Sequence, residues 1–151
     1  MDVHIRKDSN FEWLLKIQTT CKEIYVKFNW GKNYQLLIET CKELEIAVAN
    51  LNKFCDTRFA NCVRFVFINI RTDFAAITKC LYQIWNCGKN GDSKDRDKAG
   101  DAIRLHNSIV NKKFCMILSG VADIYDMFGI LVCLCQKFAF CHMKDMILLK
   151  I

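Results

Sequence analysis

The chain has 151 residues, a net charge of +6 and no proline. That length supports one domain with a usable core, and 52% hydrophobic against 25% charged residues excludes a disordered chain. The mild positive excess is shared evenly by the two halves and gathers into no basic tract, so a phosphate-binding surface is compatible with the composition but not demanded by it.

The missing proline fits an all-helical chain with few rigid turns. Ten cysteines would suggest a disulfide framework in a secreted protein. Residues 1–10 are polar and charged, however, and do not read as a signal peptide. Most of the cysteines also fall inside apolar helical runs. They read as reduced, buried, small hydrophobes in an intracellular protein.

In chain order, residues 1–8 read as a frayed end. Ser9 and Glu12 form a capping box. Phe11, Leu14, Leu15, Ile17, Cys21, Ile24, Tyr25 and Phe28 then keep helical spacing, which predicts a first helix of about 18 residues. Asn29, Trp30, Gly31 and Lys32 read as its stop and turn. The stripe Leu36, Leu37, Cys41, Leu44, Ala47, Val48 and Leu51 predicts a second helix over about 34–54.

Asp56 and Thr57 are good caps for a third helix from about Arg58. Its dense aromatic and β-branched run, Phe65 to Ile68, would suit a buried strand on propensity alone. The capped helical flanks favour helix. Thr72 and Asp73 restart a helix to about Asn86. Residues 88–98, GKNGDSKDRDK, read as the one clear loop, flexible and protease-sensitive. A helix over about 94–110 follows, with Ala99, Ala102, Ile103, Leu105, His106 and Ile109 inward or at its boundary. The last long helix covers about 112–138. Its segment 114–135 is almost wholly apolar and long enough to span a bilayer. Asp123 and Asp126, three residues apart on one face, argue instead for a bundle helix with one polar stripe, because two carboxylates in lipid are costly. The end of the chain, MILLKI, is hydrophobic enough to expose an apolar patch.

Two fragments carry more than a helical pattern. Thr57-Arg58-Phe59-Ala60-Asn61 resembles the Thr-Arg-Trp motif of the hAT superfamily of transposases, with Phe59 in place of the tryptophan and Cys62 in place of an expected serine. Leu118-Ser119-Gly120-Val121 is similar to the family's Leu-Ser-x-Val segment, later in the same helical insertion. The resemblance covers about 11–137. It implies DNA as ancestral ligand, nuclear location and self-association. It also implies a ribonuclease-H-like α/β core carrying two Asp and one Glu that bind divalent metal. Only 54 residues precede Cys55, with no strand-like alternation, so the chain reads as the insertion without that core, and catalytic transposition is expected to be absent.

The candidate nucleic-acid contacts that the resemblance implies are Thr57, Arg58 and Phe59, the aromatic ring being planar enough to stack on a base. Their ordinary reading is a solvated helix start and a core phenylalanine. Cys133, Cys135, Cys141 and His142 have the wrong spacing for a zinc knuckle. Asp123 and Asp126 have no third ligand nearby and fit a solvated face or an N–H partner on a neighbouring helix. His4, His106 and His142 are isolated, and Gly88-x-x-Gly91 is no phosphate loop. No metal, cofactor or catalytic residue is expected.

The expectation is therefore an all-α irregular bundle of five or six helices, forming a single domain over 1–151. Functionally it reads as a non-catalytic transposase-derived fragment with DNA binding or self-association. The alternatives are a helical protein-interaction module working through apolar helix faces, or a truncated product. A membrane is not expected.

Overall fold

The computed structural model describes residues 12–53 and 59–148, with side chains placed at 12–53 and 63–135. Among them are six helices and no strand, the expected all-α bundle. They are α1 (Glu12–Phe28), α2 (Gly31–Glu43), α3 (Phe59–Thr72), α4 (Phe74–Gly88), α5 (Ser93–Ile109) and α6 (Lys112–Leu148). The Ser9 cap, Asp56 and the end of the chain lie outside the described residues.

Helix α1 buries the stripe its spacing promised: Ile17, Cys21, Ile24 and Phe28 are closed to solvent. The turn after it is tight. Gly31 has φ +70°, a left-handed conformation that glycine adopts at little cost. The Asn33 Nδ2 donates to the Lys27 carbonyl at 3.0 Å, occupying an acceptor freed at the end of α1. Helix α2 thus begins at Gly31, three residues before its expected start.

It also ends eleven residues before its expected limit. Glu45 takes φ +55°. Its N–H donates to the Lys42 carbonyl at 3.1 Å, and the Ile46 N–H donates to the Cys41 carbonyl at 2.9 Å. This pair of reversed bonds is a Schellman ending, with glutamate in the position glycine usually fills. Residues 46–53 then run without regular structure across the junction of α3 and α4. There the Ala49 N–H donates to the Asp73 Oδ1 at 3.1 Å, and the Asn69 Nδ2 donates to the Asn50 carbonyl at 2.5 Å. The apolar spacing of Ala47, Val48 and Leu51 mimicked a helix, but tertiary packing of Leu51 on the core accounts for its part of that pattern.

The Phe65–Ile68 run is helical, with Val63, Val66, Phe67 and Ile70 buried at helical intervals and Phe65 turned outward. Only Asp73 separates α3 from α4. Helices α4 and α5 form the most extensive helix pair, and α3 with α6 the next. The connection between α4 and α5 is only 89–92, shorter than the loop expected over 88–98. Ser93 to Lys98 are helical because the Asp92 carboxylate accepts from the Asp95 N–H at 2.9 Å and caps α5. Gly88 permits the close return: a Cβ there would sit 2.7 Å from the Asp95 carbonyl oxygen and 3.0 Å from the Ala99 Cβ. The resulting core runs through five of the six helices' inner stripes, with Phe28, Leu37, Phe67, Ile77, Leu81 and Ile109 among its largest closed side chains, and α6 closes it with Phe114, Leu118 and Ala122.

Candidate functional site

Of the expected nucleic-acid contacts, Thr57 and Arg58 lie outside the described residues, and Phe59 opens α3 with a side chain that is likewise outside them. The second fragment of the resemblance is placed. Leu118, Val121 and Ala122 face the core, whereas Ser119 and Gly120 are exposed.

The two carboxylates of α6 have partners on a neighbouring helix. The Arg64 Nε donates to the Asp126 Oδ1 at 2.8 Å, with Nη2 at 2.6 Å from the same oxygen. The Arg71 Nη1 donates to the Asp123 Oδ1 at 2.5 Å. The order of the pairs makes α3 and α6 antiparallel. Between them the rings of Phe67 and Tyr125 stack with centroids 5.6 Å apart. Gly129 leaves room for the arginine: a Cβ would lie 2.5 Å from the Arg64 Cδ. The polar stripe is thus spent on holding α6 to α3.

The opposite face of α6 starts at Ile117, which packs against the core beside Trp13 of α1, and is bare among the described residues from Ile124 onward. Ile117, Gly120, Ile124, Met127, Leu131 and Leu134 succeed one another at alternating intervals of three and four. That is the heptad spacing with which two helices lock side chain into gap. Met127 is 71% exposed, and Ile124, Leu131 and Leu134 are each about half exposed. Phe128 and Ile130 flank them, also exposed. Together these six line a shallow concavity of about 580 Å³ formed by α6 alone. A monomer seldom leaves more than a few hundred Å² of contiguous apolar surface bare. The sequence showed the apolarity of this helix but not which half of it the bundle would consume.

Over Lys112–Cys135, α6 is also long and apolar enough to cross a membrane, with a mean hydropathy of 1.8 in its most apolar 18 residues. The described residues hold no cluster of metal-ligating side chains. Cys133 and Cys135 stand exposed on α6, and Cys87 is exposed on α4, contrary to the expectation that the cysteines are buried. Cys21, Cys41 and Cys80 do meet it. Burial pushes the Cys21 thiol up to about 12. Burial also raises Cys41, to about 11, with Asp73 and Cys80 adding to the effect. These three are packing residues, not nucleophiles.

Asp73 is the buried polar residue of greatest interest. It is closed to solvent, its Oδ1 accepts from Ala49, and its Oδ2 has no hydrogen-bond partner. Burial raises its carboxyl above the ordinary range, against the lowering effect of the Ala49 N–H. It stands where a helix cap was expected, yet its side chain caps no helix. It fastens the irregular segment 46–53 to the start of α4.

Comparison with protein families, with curated proteins and with solved structures finds no match.

Proposed function

We propose that this chain is a non-catalytic helical module that works by self-association, with the outer face of α6 packing against the same face of a second copy. The observation that carries the reading is the uncovered part of the heptad seam, from Ile124 to Leu134. Its length is about 15 Å at the rise of an α-helix. Met116, Phe128 and Ile130 extend the exposed apolar surface on either side of it.

The choice of a second copy rests on charge. The seam carries no charged side chain, and the nearest carboxylates, Asp123 and Asp126, are engaged by Arg71 and Arg64. Nothing on the seam repels its own image, and no charge pattern selects a different partner. The same ion pairs favour this reading over insertion into a membrane, which would have to strip α6 from α3 and bring two carboxylates into lipid. Self-association also accords with the transposase-derived fragment that the two short motifs resemble, and with the habit that resemblance implies.

The test is a charged substitution in the seam. Leu131→Glu and Met127→Glu are expected to convert a dimer into a monomer in light scattering after gel filtration, with helical content unchanged. Both side chains are half or more exposed in the single chain, so folding should survive. Co-flotation of the wild-type protein with neutral lipid vesicles, abolished by the same variants, would instead show a membrane face and overturn the reading.

A further inference from the structure

A groove of about 840 Å³ lies away from α6, between α1, the turn into α2, and α5. Its walls carry Lys22, Lys27, Lys32, Lys98 and Arg104. Glu23 and Asp101 share the lining, and Asp95 stands at its edge with Oδ1 3.5 Å from the Lys98 ammonium. Glu23 is taken by Arg104, whose Nη1 donates to Glu23 Oε2 at 3.2 Å. Five cations against these three carboxylates leave the groove a net charge of +2. Helix folding assembles them from two separate stretches of sequence, 22–32 and 98–104, which is why no basic tract announced them.

The cations crowd each other. The Lys27 ammonium reaches the Lys98 carbonyl at 3.4 Å. Burial pushes its pKa below the ordinary value; Asp101 counters this, and Arg104 and Lys98 push it further down. An anion entering the groove would relieve that repulsion.

A planar aromatic stands among the lysines. Trp30 is 75% exposed, the most exposed of the bulky apolar side chains, and lies in the groove lining. Its place is set by the surrounding turn. Its own backbone is extended, Gly31 supplies the left-handed step, and Asn33 ties the turn to Lys27. An indole held open to solvent by a built turn, rather than folded onto the adjacent Val26 and Leu105, is a stacking platform.

We propose that this groove binds a short single-stranded nucleic acid, with a base stacked on Trp30 and the backbone phosphates against Lys27, Lys32, Lys98 and Arg104. Cations that follow the phosphates beside an aromatic that stacks a base form the arrangement by which single strands are held with little regard to sequence. The proposal is independent of the α6 seam: the groove uses none of its residues.

The test is fluorescence anisotropy of labelled 10-mer single-stranded RNA and DNA, with a duplex of the same sequence in parallel, at several salt concentrations. Both single strands are expected to bind more tightly than the duplex; a preference between RNA and DNA identifies the source of the ligand. Trp30→Ala should weaken binding by roughly fivefold or more. Lys32→Gln with Lys98→Gln should lower the salt slope by about two. All three side chains are exposed, so the variants should fold. The control pair Lys42→Gln and Lys113→Gln, exposed cations outside the groove, should do neither. No binding at low salt, equal losses in the control pair, an unchanged Trp30→Ala, tighter duplex binding, or equal displacement by an acidic peptide would each overturn the proposal.

Discussion

Asp73 shows how one residue can work against the stability of the domain while shaping it. The buried carboxylate is favourable as the acceptor for Ala49 and unfavourable as a charge whose second oxygen finds no donor. Its pKa is raised in the fold, so the folded chain keeps a proton over a pH window in which the unfolded chain has lost it. The contribution of Asp73 to stability is therefore fully present below the ordinary carboxylate range and is lost as pH rises through the raised value. Asp73→Asn keeps an oxygen for Ala49 and removes the charge. It is expected to stabilise the protein at pH 7 by on the order of 1 kcal/mol, a rise of a few degrees in melting temperature. Thermal melts across pH should show that advantage shrinking toward pH 4. An advantage constant with pH would mean that the carboxylate is not the cause.

Glu45 is a simpler case. A non-glycine residue in the left-handed region costs about 1 kcal/mol, and Glu45 is exposed there. Glu45→Gly should therefore raise stability by several tenths to about 1 kcal/mol in urea titrations, whereas a glycine placed inside a helix would lower it by a similar amount. Nothing in the sequence marked this position, since the stop uses neither glycine nor proline. This is why the spacing of Ala47, Val48 and Leu51 carried the expected helix too far.

At the scale of the element, α6 has two faces with different duties, and the magnitudes of its ion pairs differ accordingly. Arg64 is 22% exposed and gives two donors to Asp126, whereas Arg71 and Asp123 are 38% and 68% exposed. An exposed pair contributes under about 1 kcal/mol, and breaking a half-buried one costs more because a desolvated charge is left behind. Arg64→Ala is expected to destabilise by about 1–2 kcal/mol, and Arg71→Ala by less than half as much, measured by chemical denaturation. Equal effects would mean that burial does not rank these pairs.

The helices themselves were legible because period 3.6 dominates the chain, and the inward stripe of α5 was readable down to Ala99, Ala102, Leu105 and Ile109. Their ends were less so. Residues 94–98 read both as loop, on charge density, and as the start of a helix over about 94–110; they form the solvated first turns of that helix, capped by Asp92. Asp123 and Asp126 were legible as a polar stripe, but their partners 52 and 62 residues away could be supplied only by the fold.

At the scale of the whole molecule, the six helices close one core and leave two surfaces unspent: the seam of α6, and the groove around Trp30. The first was visible in the sequence as an apolar helix of ambiguous destiny. The second was invisible, because its charges come together only when α1 meets α5. Each carries one of the two proposals, self-association for the seam and nucleic-acid binding for the groove.

The self-association reading is tested most directly by the mass of the reduced wild-type protein in solution, by sedimentation equilibrium from low to high micromolar concentration. Reducing conditions matter because Cys87, Cys133 and Cys135 are exposed and could cross-link copies without any seam. A reversible approach to twice the chain mass of 17.6 kDa is expected, with Leu131→Glu remaining at the monomer mass throughout. A wild-type protein that stays monomeric across that range, cooperatively folded and with its seam bare, would contradict the reading.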